Sequence, residues 1–266
     1  SGQADHGWLW RTGMGRRGQG SVGRIFTHRA RAVGMSAEKD ITLSEKRVYE
    51  GKQPGTQLFV ACRAGLLEVS LSDALVGAFG LVHRGDVRDV AASDGILIIA
   101  TDDDVLFGLA GEDDSEVMFE STGFGPAVAV SACDGPVASD GERVARYNDG
   151  QWETTAELTG VRALNESLIA AENGVFRLDG THLGLPGARD VDEAGTPLAA
   201  TDDGLYYLGN GWLRAVEVDA GPFHVVASHA TDGRAHAAGD RLYERRTGQG
   251  GSDRISEAPG DIGIAE

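Results

Sequence analysis

The sequence predicts an all-β fold, a β-propeller of about six short four-stranded blades, with five to seven blades compatible with the same pattern. Three observations predict it: a unit that recurs along the chain, tight-turn residues at a fixed place in each copy, and no helical periodicity of useful length. The unit is a short apolar strand ending at Ala, a polar turn, and a second apolar strand. Its copies read LFVACRAGLLEV from Leu58, LIIATDDDVLFG from Leu97, PVASDGERVARY from Pro136, LIAAENGVFRL from Leu168, LAATDDGLYYL from Leu198 and AHAAGDRLYER from Ala235. The anchoring alanines fall at 61, 100, 138, 171, 200 and 238, a spacing of 29 to 39 residues.

Each element of the unit has a physical reason. Asp-Gly, Asn-Gly and Gly-Asp at the turn supply the positive backbone angles that a tight hairpin requires. Ahead of most copies lies another strand opened by Gly: GDVRDVAASDG at Gly85, GPAVAVSACDG at Gly125, GVRALNES at Gly160, GARDVDEAG at Gly187 and GPFHVVAS at Gly221. A further β-prone run follows the hairpin at 116–121, 151–157 and 212–218. Four antiparallel strands at such a period form one blade, which buries both faces only by stacking radially on its neighbours. Arg47–Glu50 is a candidate for the strand missing from the first or the last copy.

Composition divides the chain. Six of its 24 basic residues but one of its 41 acids fall in residues 1–34, which leaves 18 bases against 40 acids in residues 35–266. Residues 1–34 are therefore expected to be a basic flexible leader outside the fold, residues 35–247 the propeller, and residues 248–266 a flexible acidic tail. The Arg16-Arg17 pair lacks the apolar run of an export signal, and Met35 reads as the natural initiator. Only three Lys accompany the acids. Such a Lys-poor, acid-rich surface fits a halophilic, cytoplasmic protein that repels nucleic acid and anionic membranes. No stretch approaches the roughly 20 apolar residues of a membrane-spanning helix. Cys62 and Cys133 read as small buried hydrophobes.

The pieces VRDVAASDG at Val87, IIATDD at Ile98 and AATDDGLYYL at Ala199 resemble a haloarchaeal β-propeller family, over residues 41–246. These motifs are architectural; the resemblance implies a fold and brings no activity with it.

The chemistry is sparse. GxSxG, HExxH and Walker patterns are absent, and so is a strand–GxGxxG–helix motif. Aligning the inner strands on the Val or Leu two places later puts Arg88, Val128, Arg162, Arg189 and Phe223 in one slot, with Asp89, Asp190 and His224 beside it. If these strands line the channel, the guanidinium groups gather at one end, where they can fork onto a carboxylate or phosphate. The competing account pairs each Arg with an Asp of its own or the next blade. Asp102-Asp103-Asp104 and Asp202-Asp203 read as solvated hairpin turns, and Trp152 and Trp212 as packing between blades. The functional expectation is a non-catalytic binding module for a small anion or a partner's acidic group, with no cofactor. The alternative is a metal-dependent hydrolase or lactonase, with Ca²⁺ held by Asn165, Glu166 and Asp190.

Overall fold

The computed structural model describes residues 9–12, 23–29, 56–72, 75–93, 95–109, 117–215, 221–229, 233–245 and 255–257. They form six antiparallel sheets arranged as the blades of a β-propeller. Blade 1 holds β1 (Leu9–Thr12), β2 (Gly23–Arg29), β3 (Thr56–Cys62), β4 (Gly65–Ser72) and β5 (Leu75–Arg84). Blade 2 holds β6 (Val87–Ser93), β7 (Ile96–Thr101), β8 (Val105–Leu109) and β9 (Met118–Ser121). Blade 3 holds β10 (Ala129–Ser131), β11 (Val137–Ser139), β12 (Arg143–Asn148) and β13 (Gln151–Glu157). Blade 4 holds β14 (Val161–Asn165), β15 (Leu168–Ala171), β16 (Gly174–Arg177) and β17 (His182–Gly184). Blade 5 holds β18 (Ala188–Asp192), β19 (Leu198–Thr201), β20 (Leu205–Leu208) and β21 (Trp212–Arg214). Blade 6 holds β22 (Val225–Ser228), β23 (Ala235–Ala238), β24 (Leu242–Arg245) and β25 (Ile255–Glu257).

Within each blade the strands pair in sequence order. The inner strands contact one another around the ring in the order β2, β6, β10, β14, β18 and β22, and β1 meets β22 to close it. The anchoring alanines lie on equivalent strands: β3 in blade 1, and the second strand (β7, β11, β15, β19 and β23) in the other five.

Strands also occur in two segments outside the expected propeller bounds. Leu9–Thr12 and Gly23–Arg29 fall inside the segment expected to lie outside the fold; β2 pairs with β3, and β1 pairs with β2 at the edge of the blade 1 sheet. The RIFTHR stretch of β2 extends the β3 ladder from Ile25↔Val60 to Arg29↔Thr56, supplying the hydrogen bonds that a strand owes its neighbour. In the tail expected to be flexible, Ile255–Glu257 is the outer strand of blade 6, paired with β24. Arg47–Glu50 lies outside the described residues.

The core lies between blades rather than inside any one of them. Leu97 and Ile99 of β7 pack into the layer shared with blade 1, alongside Phe59, Ala61 and Leu66. Ile98 and Ala100, pointing the other way, join Val130, Ala138 and Ala145 in the layer shared with blade 3. Both faces of the strand are thus covered, which is why LIIAT runs apolar without alternation. Trp152 carries this packing outward: its ring meets Phe124 and Tyr147, and its N–H donates to Thr122 Oγ1 at 3.2 Å. Trp212 does the same between blades 5 and 4, donating to the Leu183 carbonyl at 2.9 Å.

Hairpin chemistry repeats as well. Thr101, Ser139 and Thr201 are buried hydroxyls satisfied by their own turns, as when Thr101 donates to the Asp104 carbonyl at 2.7 Å. Asp104 anchors the crossover into blade 3. Its carboxylate accepts the Ser121 hydroxyl and the backbone N–H groups of Val105 (2.8 Å), Gly123 (2.9 Å) and Gly125 (2.9 Å). Partial burial pushes its pKa up, but these donors outweigh burial and hold it below the ordinary 3.8. A depressed folded pKa means stability present above the unfolded value and lost as pH falls through the folded one. Asp104→Ala is expected to cost about 1–2 kcal/mol near neutral pH. Urea midpoints should show that gap narrowing once the pH drops below about 4.

Candidate functional site

All inner strands run the same way along the channel, so their first residues gather on one face of the ring. The hairpins between second and third strands open on that face too. On it, Arg88 of β6 donates from Nη1 to the Ala127 carbonyl of blade 3 at 3.3 Å, and its Nε lies 3.8 Å from Asp86. Arg162 of β14 repeats the reach, donating from Nη1 to the Ala188 carbonyl of blade 5 at 3.2 Å. The same nitrogen is 3.8 Å from Asp202 Oδ2. Arg189 of β18 donates from Nε to Asp202 Oδ1 at 2.5 Å, and its Nη1 contacts His224 Nδ1 at 2.6 Å. A guanidinium has only donors, so Nδ1 is the acceptor in this contact.

Two guanidinium groups from adjacent blades therefore share one carboxylate, with an imidazole from the third blade alongside. The Arg88, Arg162 and Arg189 side chains are 35, 35 and 37% exposed, and that of Asp202 49%. The cluster is solvent-accessible and sets two guanidinium groups against the one Asp202 carboxylate.

The predicted residues divide into two groups. Arg162, Arg189 and His224 come together, while Arg88 holds the equivalent place on blade 2. Asp89 and Asp190 do not belong to the mouth. They are 3% and 0% exposed and tie the ring together. Asp89 accepts the N–H of Val90 (2.9 Å) and of Val130 in the next blade (2.8 Å). Asp190 accepts the N–H of Val191 (2.7 Å) and of Val226 in the next blade (3.0 Å). Successive residues of a strand face opposite ways, so Arg-Asp places one charge at the mouth and the other between blades.

The slot also needs a one-residue correction. Val130 and Val226 receive equivalent aspartates, and His224 N–H donates to Ala238 as Val128 N–H does to Ser139. His224 is thus the counterpart of Val128. Phe223, 0% exposed, is the counterpart of Ala127.

Asp202, read from sequence only as a turn carboxylate, was the residue the sequence did not reveal. Its partners lie on neighbouring strands and no local spacing announces them. At the other end of the ring, Arg177 Nη1 donates to Ser167 Oγ and to Glu193 Oε1, each at 2.5 Å, joining blades 4 and 5. The candidate metal ligands have other work. Asn165 Oδ1 accepts the Glu193 N–H at 3.0 Å, and both Asp190 oxygens accept backbone donors. Among the described residues no group of three or more His, Cys, Asp or Glu side chains is placed to hold a metal ion.

A six-bladed ring with this repeat defines the chain as a β-propeller protein. It belongs to the family described as Beta-prop_HVO_0234-like, beta propeller, which matches residues 42–264. No curated protein matches the sequence. Among solved structures, the extracellular domain of BT4673 from B. thetaiotaomicron is similar at TM-score 0.59 and 13% identity. That alignment covers 92% of this chain and 39% of the other, so this chain spans well under half of its relative's length. U3-55K is similar at TM-score 0.54 and 14% identity, covering 76% of this chain and 77% of that one. The WD40 repeats of RRP9 align at TM-score 0.51 and 14% identity, with 76% of each chain covered. At these identities the likeness is one of fold.

Proposed function

We propose that the protein is a non-catalytic binding module that seats a small anion, or the acidic group of a partner, at the channel mouth. Arg162 and Arg189 are the principal donors, with Arg88 and His224 beside them. One observation carries the reading: in a chain with 41 acids and 24 bases, two arginines from adjacent blades converge on a single half-exposed carboxylate. A guanidinium presents five donors, and Asp202 engages only part of that set. An incoming carboxylate or phosphate takes up the remaining, solvent-facing N–H groups by forked hydrogen bonds.

The test is thermal unfolding in molar KCl, with acetate, glutarate and inorganic phosphate compared at fixed ionic strength. An anion at about a hundred times its dissociation constant adds roughly 2.7 kcal/mol and raises the midpoint. The expected result is a shift with at least one anion, abolished in Arg162→Ala. No shift with any of the three, or a shift that survives in the Arg162→Ala, Arg189→Ala double variant, would overturn the proposal.

A further inference from the structure

The outer strand of blade 1 is unlike the outer strand of every other blade. β5 is 10 residues long and reads LVGAFGLVHR, with no Asp, Glu or Lys and its single Arg last. The other outer strands run from 3 to 7 residues, and each has an acid, an Arg or a His within that short length: Glu120, Glu153, His182, Arg214 and Glu257, whereas on β5 the first eight residues carry none. Among the described residues β5 lies at the edge of its sheet, paired on one side only, with β4. From Leu75 to Leu81 every residue is exposed. Leu75 is 74% exposed, Val76 69%, Phe79 75% and Leu81 38%. On the neighbouring blade Phe119 stands edge-on to His83 of β5 at 5.1 Å, which leaves the adjacent Met118, 71% exposed, on the other face of β9. Long, flat, apolar edges with free N–H and C=O groups are templates for strand addition, and a protein that leaves one unguarded has a use for it.

We infer that β5 is a self-association edge, pairing antiparallel with the β5 strand of a second copy. Three arguments select a copy of the chain as the occupant. An antiparallel strand pair closes on itself by a two-fold axis, so one edge per chain gives a dimer and not a filament. Charge points the same way: copies of a net −17 chain repel one another on the whole, and the stretch from Leu75 to His83 adds no acid to that repulsion. The area fits a weak, concentration-dependent dimer. Side chains of this size carry on the order of 150–200 Å² each when fully open. At the stated exposures the four residues of β5 offer about 450 Å² per copy, or about 900 Å² for the pair, the size of a weak association.

Sedimentation equilibrium on the full chain, at tens to hundreds of micromolar, tests this. The expected result is a species of twice the chain mass, strengthening as KCl rises from about 0.1 M to about 1 M and acid–acid repulsion is screened. Phe79→Lys should sediment as a monomer with an unchanged unfolding midpoint, because Phe79 contributes little to the fold. Leu213→Lys, a comparable change at an exposed site on blade 5, should remain dimeric. A wild-type monomer at every salt and protein concentration would overturn the inference, as would a dimer that persists in Phe79→Lys.

Discussion

Replacing Asp190 with Ala is expected to destabilise the protein by about 3–5 kcal/mol. The side chain is 0% exposed, and its two oxygens accept the N–H groups of Val191 and Val226, which belong to the inner strands of blades 5 and 6. Alanine takes both acceptors away from donors that water does not reach, and each such donor costs roughly 1–3 kcal/mol. Asn keeps one carbonyl oxygen but turns an N–H₂ toward the other donor, so Asp190→Asn should lose about half as much. Arg189 is the adjacent residue and supplies the control. Its guanidinium faces solvent, and Arg189→Ala should change stability by no more than about 1 kcal/mol. Denaturant midpoints at constant slope measure all three. If Asp190→Ala and Arg189→Ala cost the same, the separation of inter-blade tie from mouth residue is wrong.

A second large effect is expected at Gly65, the first residue of β4. Its φ is +144°, where a side chain is strained, and an added Cβ would collide with the backbone carbonyl of His83 on β5. Backbone strain and overpacking each cost about 1–3 kcal/mol, so Gly65→Ala should lose about 4 kcal/mol. The cause is the length of the hairpin. Only Arg63 and Ala64 separate Cys62 from Gly65, and the strand must leave that turn in a conformation glycine alone adopts freely. Gly174 follows the equally short Glu172–Asn173 turn, has φ +152° and meets the same obstruction from Gly184. Gly80 lies on β5 with nothing near its missing Cβ. Gly80→Ala should therefore leave the thermal midpoint of the wild type in place, while Gly65→Ala lowers it by many degrees.

These contrasts bear on what a sequence reveals. The blades were legible because burying both faces of a second strand writes a continuous apolar run, and a tight turn writes Asp and Gly after it. The channel mouth was legible in part: Arg88, Arg162 and Arg189 stand at one repeated position because duplicated blades repeat their geometry. Its details were not. GPFHVVAS offers Val at both 225 and 226, and the register is set by Asp190 from another blade, 36 residues earlier. Arg-Asp looked like a local ion pair, whereas strand alternation sends its two side chains to different environments. Asp202 was visible as a turn residue, but its pairing with Arg162 crosses from blade 5 to blade 4. Strands as short as Ile255–Glu257 leave almost no pattern at all.

The most direct measurement is an anion titration followed by NMR on the Nε–H resonances of the arginines and the ring nitrogens of His224. The account predicts that Arg162, Arg189 and His224 shift together with one dissociation constant, while the amides of Val130 and Val226, held by the buried aspartates, stay in place. Movement of other arginines instead, or no movement with any carboxylate or phosphate, would mean that the cluster around Asp202 only holds blades together.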